Sequence, residues 1–264
     1  MANLNPAPIN ENPTQPMPSS WALWFNSVTT FINSLKTLFA ALASGQIVYS
    51  NGTTLAAAPN MRYDAVNGVS QFGTTTDYTE FQADGSMKMF GAATVWTAMD
   101  AGLIPPHAGS ATPAVIPFNG DALLDCYAFL GTGTVPDVYS SMVEMPRGYK
   151  DGADVHLHVQ WFPTDTNTGN VKLTLRYVIF NRGTVPPAAQ SVSIVSPTPG
   201  VAWQEQSMVF DISGAGMTLG ARLIYYLYRD ASDAQDTYNF SIGVTGIGIH
   251  TKIDQIGSRQ HEVK

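Results

Sequence analysis

After residue 45 the chain is divided by closely spaced turn residues, and this spacing constrains its fold more than any other feature of the sequence. Clusters of Gly, Pro, Asn and Asp separate short apolar segments, and no helical periodicity of useful length appears among them. Eight of these segments have the length and composition of strands: 123–130, 138–145, 154–162, 171–180, 191–195, 208–212, 221–228 and 238–253. They predict a mainly β protein with a jelly-roll-like β-sandwich over residues 92–264.

The charge content supports this fold class and excludes several functions. Charged residues make up only 12% of the 264 residues, against about 25% in a typical soluble domain, and long solvated helices need many charged positions. A net charge of −7 disfavours a nucleic-acid partner, because such binding rests on neutralising phosphates. The single cysteine, Cys126, excludes an intrachain disulfide framework, and its apolar neighbours predict a buried packing residue.

The first 45 residues predict neither a signal peptide nor a membrane span. The opening residues lack a basic region and an apolar core, and polar residues interrupt the apolar segment that follows.

Five prolines in residues 1–18 predict an extended arm. We expect this arm to anchor the protein to a partner, with a loose terminus as the alternative. Glu11 and Lys36 are the only charged side chains in residues 1–44, as expected of segments that contact other chains.

Residues 19–45 carry the clearest helix signal. Ser19 or Ser20 can cap the start, and Gly45 has the position of a terminating glycine. Apolar side chains fill the a and d positions of a heptad, with a third column formed by Phe25, Ile32 and Phe39. This face is wider than a two-stranded coiled coil needs. It predicts a coiled-coil trimerisation helix whose contact residues are Trp21, Trp24, Val28, Phe31, Leu35, Leu38 and Leu42; the alternative is a helix that packs on the chain's own core.

Residues 46–91 carry three hairpin-turn dipeptides at nearly regular spacing: Asn51-Gly52, Asn67-Gly68 and Asp84-Gly85. Two units, residues 63–73 and 81–91, each open on an aromatic residue, hold a turn glycine in the middle and close on Phe-Gly. Hairpins this small are stable only when stacked or wrapped with other chains. We therefore expect a short β-hairpin shaft, with two unrelated hairpins as the alternative.

His156 and His158 alternate along a predicted strand, so both imidazole rings point to one face. With His250 as a third ligand they would form part of a metal site, but no carboxylate or further histidine has a supporting spacing. The alternative is a histidine pair satisfied by its neighbours or facing a subunit interface. We expect no metal and no other cofactor.

The motifs of nucleophilic, phosphate-binding and zinc-hydrolase chemistry do not occur in the sequence. Asp230, Asp233 and Asp236 lie close together in sequence and could supply the carboxylates of a calcium-binding loop. Their segment lacks the EF-hand glycine and terminal glutamate, so a polar turn is expected there. Core packing explains most of the aromatic residues, whereas exposed aromatic residues would stack on sugars or bind proteins. For Tyr225, Tyr226 and Tyr228 the sequence leaves both interpretations open. The expectation is a binding protein without catalytic residues.

Four stretches of the sequence resemble the small trimeric fibre and decoration proteins of tailed-bacteriophage virions. They are residues 81–96, which resemble a shaft-to-head junction, and residues 149–161, 228–238 and 253–260. The resemblance implies a structural protein without assigned catalytic residues. It also implies a histidine at position 160 in many relatives, where this chain has Gln160, and this departure argues further against a metal site.

The resemblance and the chain plan together predict a structural component of a bacteriophage virion, assembled in the cytoplasm of the bacterial host. The expected form is a homotrimeric fibre that contacts other virion proteins through residues 1–18 and presents its β domain to a host-surface glycan or protein. Two alternatives stay open. One is a capsid cement protein that stabilises the head, and the other is a β domain that cleaves polysaccharide.

Overall fold

The computed structural model of the chain describes residues 19–41, 46–50, 55–101, 113–121, 123–132 and 137–257. These residues form two compact units, one ending at Ala92 and the other beginning at Ala93. No helix in the described part of the chain combines the length and apolar character that crossing a membrane requires. The predicted arm of residues 1–18, together with Leu42 and the side chain of Leu38, lies outside this description.

The N-terminal unit holds the one α-helix of the described residues, α1 (Ser19–Ala41). It begins at the predicted Ser19, while residues 42–45 of the predicted helix end lie outside the described chain. On the polar side of α1, four hydroxyl groups donate hydrogen bonds of 2.8–3.0 Å to the backbone carbonyl four residues earlier. They belong to Ser27, Thr30, Ser34 and Thr37.

The apolar side of α1 is only partly buried. The described a and d residues are only half-buried, and in the third column Phe25 and Ile32 are each 44% exposed. Trp21, Trp24 and Phe25 contact one another at the start of the helix, with ring centroids 5.1–6.1 Å apart. The helix therefore presents an aromatic and aliphatic face to its surroundings.

The same unit contains an antiparallel meander in which each strand pairs with the next. Its strands are β1 (Gln46–Ser50), β2 (Leu55–Asp64), β3 (Val69–Gly73), β4 (Tyr78–Phe81) and β5 (Met87–Phe90). The predicted turns at Gly68 and Gly85 are confirmed, with φ of +70° and +86°. The first predicted turn, at Asn51-Gly52, lies outside the described residues.

The recurring Phe-Gly pair has a steric cause. Gly73 and Gly91 both have positive φ, and a Cβ at either position would lie 2.2–2.3 Å from an oxygen of Asp77. Asp77 Oδ1 accepts the amide of Ala92 at 2.7 Å, so its loop is held between the two glycines. Only a residue without a side chain fits this close approach.

The C-terminal unit is a sandwich of two antiparallel sheets. Sheet 1 has the order β13-β10-β15-β8-β7, with β6 also paired to β15, and sheet 2 has the order β12-β11-β14-β9. The strands are β6 (Val95–Asp100), β7 (Ala114–Pro117), β8 (Asp125–Phe129), β9 (Asp137–Glu144), β10 (Val155–Pro163), β11 (Asn170–Phe180), β12 (Gln190–Pro197), β13 (Gln206–Ile212), β14 (Arg222–Arg229) and β15 (Ile242–Ile253). A two-residue strand, β16 (Gln255–Ile256), follows β15 and belongs to neither of these sheets.

Alternate residues of the central strands meet in one hydrophobic core. Sheet 1 contributes Leu157 and Ile249, and sheet 2 contributes Leu175 and Leu223, all fully buried. The eight predicted strands are confirmed within a few residues of their ends, and the mainly β sandwich agrees with the expected fold class. Burying a face of each sheet is what stabilises such a two-layer architecture.

Three strands, namely β6, β7 and the two-residue β16, and one boundary differ from the sequence prediction. β6 and β7 were not predicted because their side chains are mostly exposed and lack a clean alternation of apolar and polar residues. The last long strand begins at Ile242, not at residue 238. The carbonyls of Tyr238 and Phe240 accept hydrogen bonds from the Arg229 guanidinium, so this segment is tied to a side chain.

Candidate functional site

The outward face of sheet 1 carries the histidines that the sequence singles out. Along β10 the core residues alternate with His156, His158 and Gln160, which point away from the core. The prediction that both imidazoles share one face is confirmed. β15 places His250 directly opposite His156, so pairing between distant segments brings three imidazoles onto one surface.

His158 and His250 stack on each other, with ring centroids 4.0 Å apart and an angle of 23° between the planes. Partial burial lowers the pKa of His158 below its ordinary value, and the neighbouring His250 and His156 lower it further, against the opposing effect of Asp211. Stacked imidazoles cannot both become charged without repulsion. The contact therefore disfavours the charged form of His158, in agreement with its lowered pKa.

His156 has different partners. Its Nδ1 lies 2.5 Å from Oδ1 of Asp211 on β13, and its ring meets Trp96 on β6 edge to face at 5.0 Å. The Lys252 ammonium lies over the Trp96 ring, 5.2 Å from its centroid. Four strands thus contribute to one polar and aromatic cluster.

The geometry provides no support for the metal site considered from the sequence. Within the described ranges, no group of three or more His, Cys, Asp and Glu side chains is arranged to hold a metal ion. His156 is engaged by Asp211, and His250 lies face to face with His158. These contacts agree with the alternative interpretation, in which the histidines are satisfied by their neighbours.

A cleft of about 370 Å³ opens beside this cluster. Its walls come from the end of β15, from β6 and from the loop before β10, and the lining residues are Trp96, Lys150, Asp151, Gly152, Ala153, Asp154, His156 and Lys252. Sequence analysis did not predict this site, because Trp96 belongs to a strand that the sequence pattern does not reveal. A stretch with three charged residues near residue 150 was the only available signal.

The loop of residues 150–154 is fixed by backbone contacts on two sides. The Lys150 amide donates to the Lys252 carbonyl at 2.9 Å, and the Gly152 amide donates to the Met217 carbonyl at 2.9 Å. Beneath the loop, the fully buried Tyr149 donates its hydroxyl to the Ala153 carbonyl. The cleft is therefore largely formed before any ligand arrives.

The remaining sequence candidates have structural partners. In the predicted polar turn, Asp236 pairs with Arg229 and Asp233 pairs with Lys172 at 2.6 Å, so these two carboxylates face separate cations. Tyr225 is buried in the core, whereas Tyr226 and Tyr228 point outward from sheet 2. Cys126 is buried as predicted, and burial, assisted by Asp125, raises the pKa of its thiol.

Comparisons with known proteins return only weak structural matches. No family model matches the chain, and no curated protein matches it. Among solved structures, a CBM22-2 xylan-binding domain from Paenibacillus barcinonensis is 17% identical with a TM-score of 0.34, and the match covers 59% of this chain and 91% of that domain.

Two further matches cover less of the compared proteins. An exo-beta-1,3-galactanase from Phanerochaete chrysosporium with galactose is 12% identical with a TM-score of 0.31, over 74% of this chain and 37% of the enzyme. The structure of the infectious bursal disease virus Gt strain gives 10% identity and a TM-score of 0.33, over 77% of this chain and 44% of that one. At these values the similarities carry no functional argument.

Proposed function

We propose that the protein is a homotrimeric structural component of a bacteriophage virion, anchored by residues 1–18, whose β-sandwich binds a ligand on the host surface. The observation that carries the proposal is that the N-terminal unit exposes apolar faces on both its helix and its sheet. Such faces are normally covered by protein. Copies of the same chain are the partners that the sequence pattern favours.

The helix supports trimerisation by its length and composition. α1 has 23 residues, and helices in proteins owe most of their stability to the packing of an amphipathic face against other elements. Its apolar face includes Val28, Phe31 and Leu35 at a and d positions, and Lys36 is its only charged residue. A heptad face with a third apolar column suits a helix that contacts two others.

The meander supports the same conclusion. Met61, Phe72, Phe81 and Met89 share one face of the sheet by the strand registers, and Phe72 and Phe81 are 40% and 48% exposed. The opposite face carries the hydrogen bond from Gln71 to Glu80 at 2.7 Å and the stacked rings of Tyr78 and Phe90, 4.5 Å apart. A small sheet that exposes two phenylalanine rings on one face gains stability when further chains pack against them.

The sandwich contributes binding and not turnover in this proposal. Three copies would present three equivalent surfaces, so contacts that are weak one at a time would add up to strong attachment. A preformed polar and aromatic cleft on each copy supplies such a surface.

Sedimentation equilibrium tests the assembly. We expect the wild-type protein at three times the 28.4-kDa chain mass and the double variant Phe31→Asp, Leu35→Asp at the mass of one chain. The control Thr30→Asp, Thr37→Asp places the same charges on the polar side of α1 and stays trimeric. A monomeric wild type, or a trimeric Phe31→Asp, Leu35→Asp variant, contradicts the trimer.

Antibody labelling of purified particles in negative stain tests the virion role. We expect label at the end of a tail-associated fibre. Label distributed over the head would identify a cement protein and overturn the fibre assignment. Release of reducing ends from host polysaccharide by the purified protein would overturn the assignment as a binding protein without turnover.

A further inference from the structure

We propose that the cleft beside Trp96 is a saccharide-binding site that takes a neutral glycan. This inference rests on the proposed function, because it names the site and the ligand class through which the sandwich would contact the host surface. Three features of the cleft support it: an exposed aromatic platform, fixed polar groups around this platform, and balanced charge.

Trp96 provides the aromatic platform. Its side chain is 54% exposed, although it lies at the edge of a cleft and not on an open surface. The Lys252 ammonium lies over one face of the ring, and the His156 ring contacts the indole at an angle of 62°, so both side chains hold it in place. The part of the indole that stays exposed offers a flat apolar surface on which the C–H face of a sugar ring can pack.

The groups around Trp96 match the hydroxyl groups of a sugar. Ammonium groups of Lys150 and Lys252 can donate hydrogen bonds, and the carboxylate of Asp154 can accept them. A sugar hydroxyl both donates and accepts, so it needs both kinds of partner side by side. A purely apolar ligand would leave these polar groups without water or a partner.

The carboxylates are oriented before binding. The Gly214 amide donates to Oδ1 of Asp154 at 3.1 Å, and the Leu219 amide donates to Oδ1 of Asp151 at 3.1 Å. Gly214 lies so close to the 150–154 loop that a Cβ at this position would be 1.8 Å from the Ala153 carbonyl oxygen, so only a glycine fits there. Preformed geometry lowers the entropic cost of binding a flexible glycan.

The charge balance selects a neutral ligand. Two lysines and two aspartates line the cleft, and His156 at its border is already paired with Asp211. An anionic or a cationic sugar would meet unfavourable charges on one side of the cleft. The volume of about 370 Å³ lies in the range of small-molecule sites, about 300–1,000 Å³.

Isothermal titration with defined trisaccharides tests the site in the full-length protein. The probes are neutral trisaccharides of glucose, galactose or mannose, and a galacturonate trisaccharide serves as the charged counterpart of the galactose probe. We expect at least one neutral probe to bind wild type and to bind Trp96→Ala at least about tenfold more weakly. Trp96→Phe keeps a smaller ring and should lose less affinity.

Two further variants separate the site from general effects. Asp154→Asn keeps an oxygen for the Gly214 amide but removes the charge, and we expect it to weaken binding severalfold. Val209→Ala, which lies on the same outward face but not in the cleft, should bind like wild type. Far-ultraviolet circular dichroism, which reports the backbone fold, should match wild type for each variant, because the substituted side chains are exposed or half-exposed.

The outcomes distinguish this inference from the proposed function. If no neutral probe binds, if Trp96→Ala binds as tightly as wild type, or if galacturonate binds more tightly than galactose, the neutral glycan site is overturned. A trimer in sedimentation and a fibre location on particles would still support the proposed function in each of those cases. Loss of the trimer with retained glycan binding would overturn the proposed assembly alone.

Discussion

The Arg229 guanidinium and the Asp236 carboxylate form a two-point ion pair inside the sandwich, with Nε–Oδ2 and Nη2–Oδ1 distances of 2.8 Å each. Both side chains are almost completely buried, at 0% and 1% exposed. Arg229 also donates to the carbonyls of Phe129, Tyr238 and Phe240. One guanidinium thus connects the end of β14 to Phe129, 100 residues earlier in the chain, and to residues 236–240, which follow it closely.

Removing one partner of this pair should destabilise the C-terminal unit. We expect Asp236→Asn to lower the free energy of unfolding by roughly 3–5 kcal/mol, because it leaves the Arg229 charge buried without its counterion. Urea denaturation followed by circular dichroism measures the loss. Asp211→Asn, at a side chain that is 75% exposed, is the control and should stay within about 1 kcal/mol. An equally small effect of Asp236→Asn would show that the pair contributes little.

The stacked histidines predict a dependence of stability on pH. Because the folded protein lowers the pKa of His158, the unfolded chain binds more protons near and below pH 6.5, the ordinary value. The free energy of unfolding should therefore be constant above about pH 6.5 and fall as the pH drops below it. His158→Gln removes this contribution, so its urea midpoint should change less between pH 7.5 and pH 5. Identical changes in both proteins would contradict the assignment.

Gly91 tests the steric account of the Phe-Gly repeat. Gly91→Ala places an L-residue at φ +58°, and its Cβ would meet Asp77. Gly85→Ala is the matched control, because its φ is +86° but no atom lies within 4 Å of the new Cβ. Positive φ alone costs about 1–2 kcal/mol, so amide exchange in β3–β5 should accelerate clearly more for Gly91→Ala. Equal acceleration would rule out the clash.

Tyr149 supports the loop of the cleft from below. Its hydroxyl donates to the Ala153 carbonyl, and burial, together with Asp151 and Asp154, raises its pKa to about 12. Tyr149→Phe leaves that carbonyl without its buried donor, and we expect a loss of about 1–2 kcal/mol in thermal or urea denaturation. Tyr63→Phe, at a side chain that is 47% exposed, should have no effect. A silent Tyr149→Phe would mean that another group satisfies the carbonyl.

Several features could be predicted because they depend on residues close together in sequence. The start of α1 at Ser19 follows from local helix signals, and the turns at Gly68 and Gly85 follow from dipeptides that tolerate positive φ. The outward placement of His156 and His158 follows from the two-residue period of a strand. Each of these inferences needs no knowledge of distant segments.

The candidate site could not be predicted in the same way. Trp96, Lys150 and Lys252 are brought together only because β6 pairs with the far end of β15 and the 150–154 loop is tied to the same strand. Likewise, the spacing of Asp233 and Asp236 does not reveal that their partners are Lys172 and Arg229. The sequence by itself therefore determined the β class, the turns and the faces of single strands. The tertiary structure alone decided which strands are neighbours, because register between distant segments is chosen by burial of the whole core and not by any local pattern.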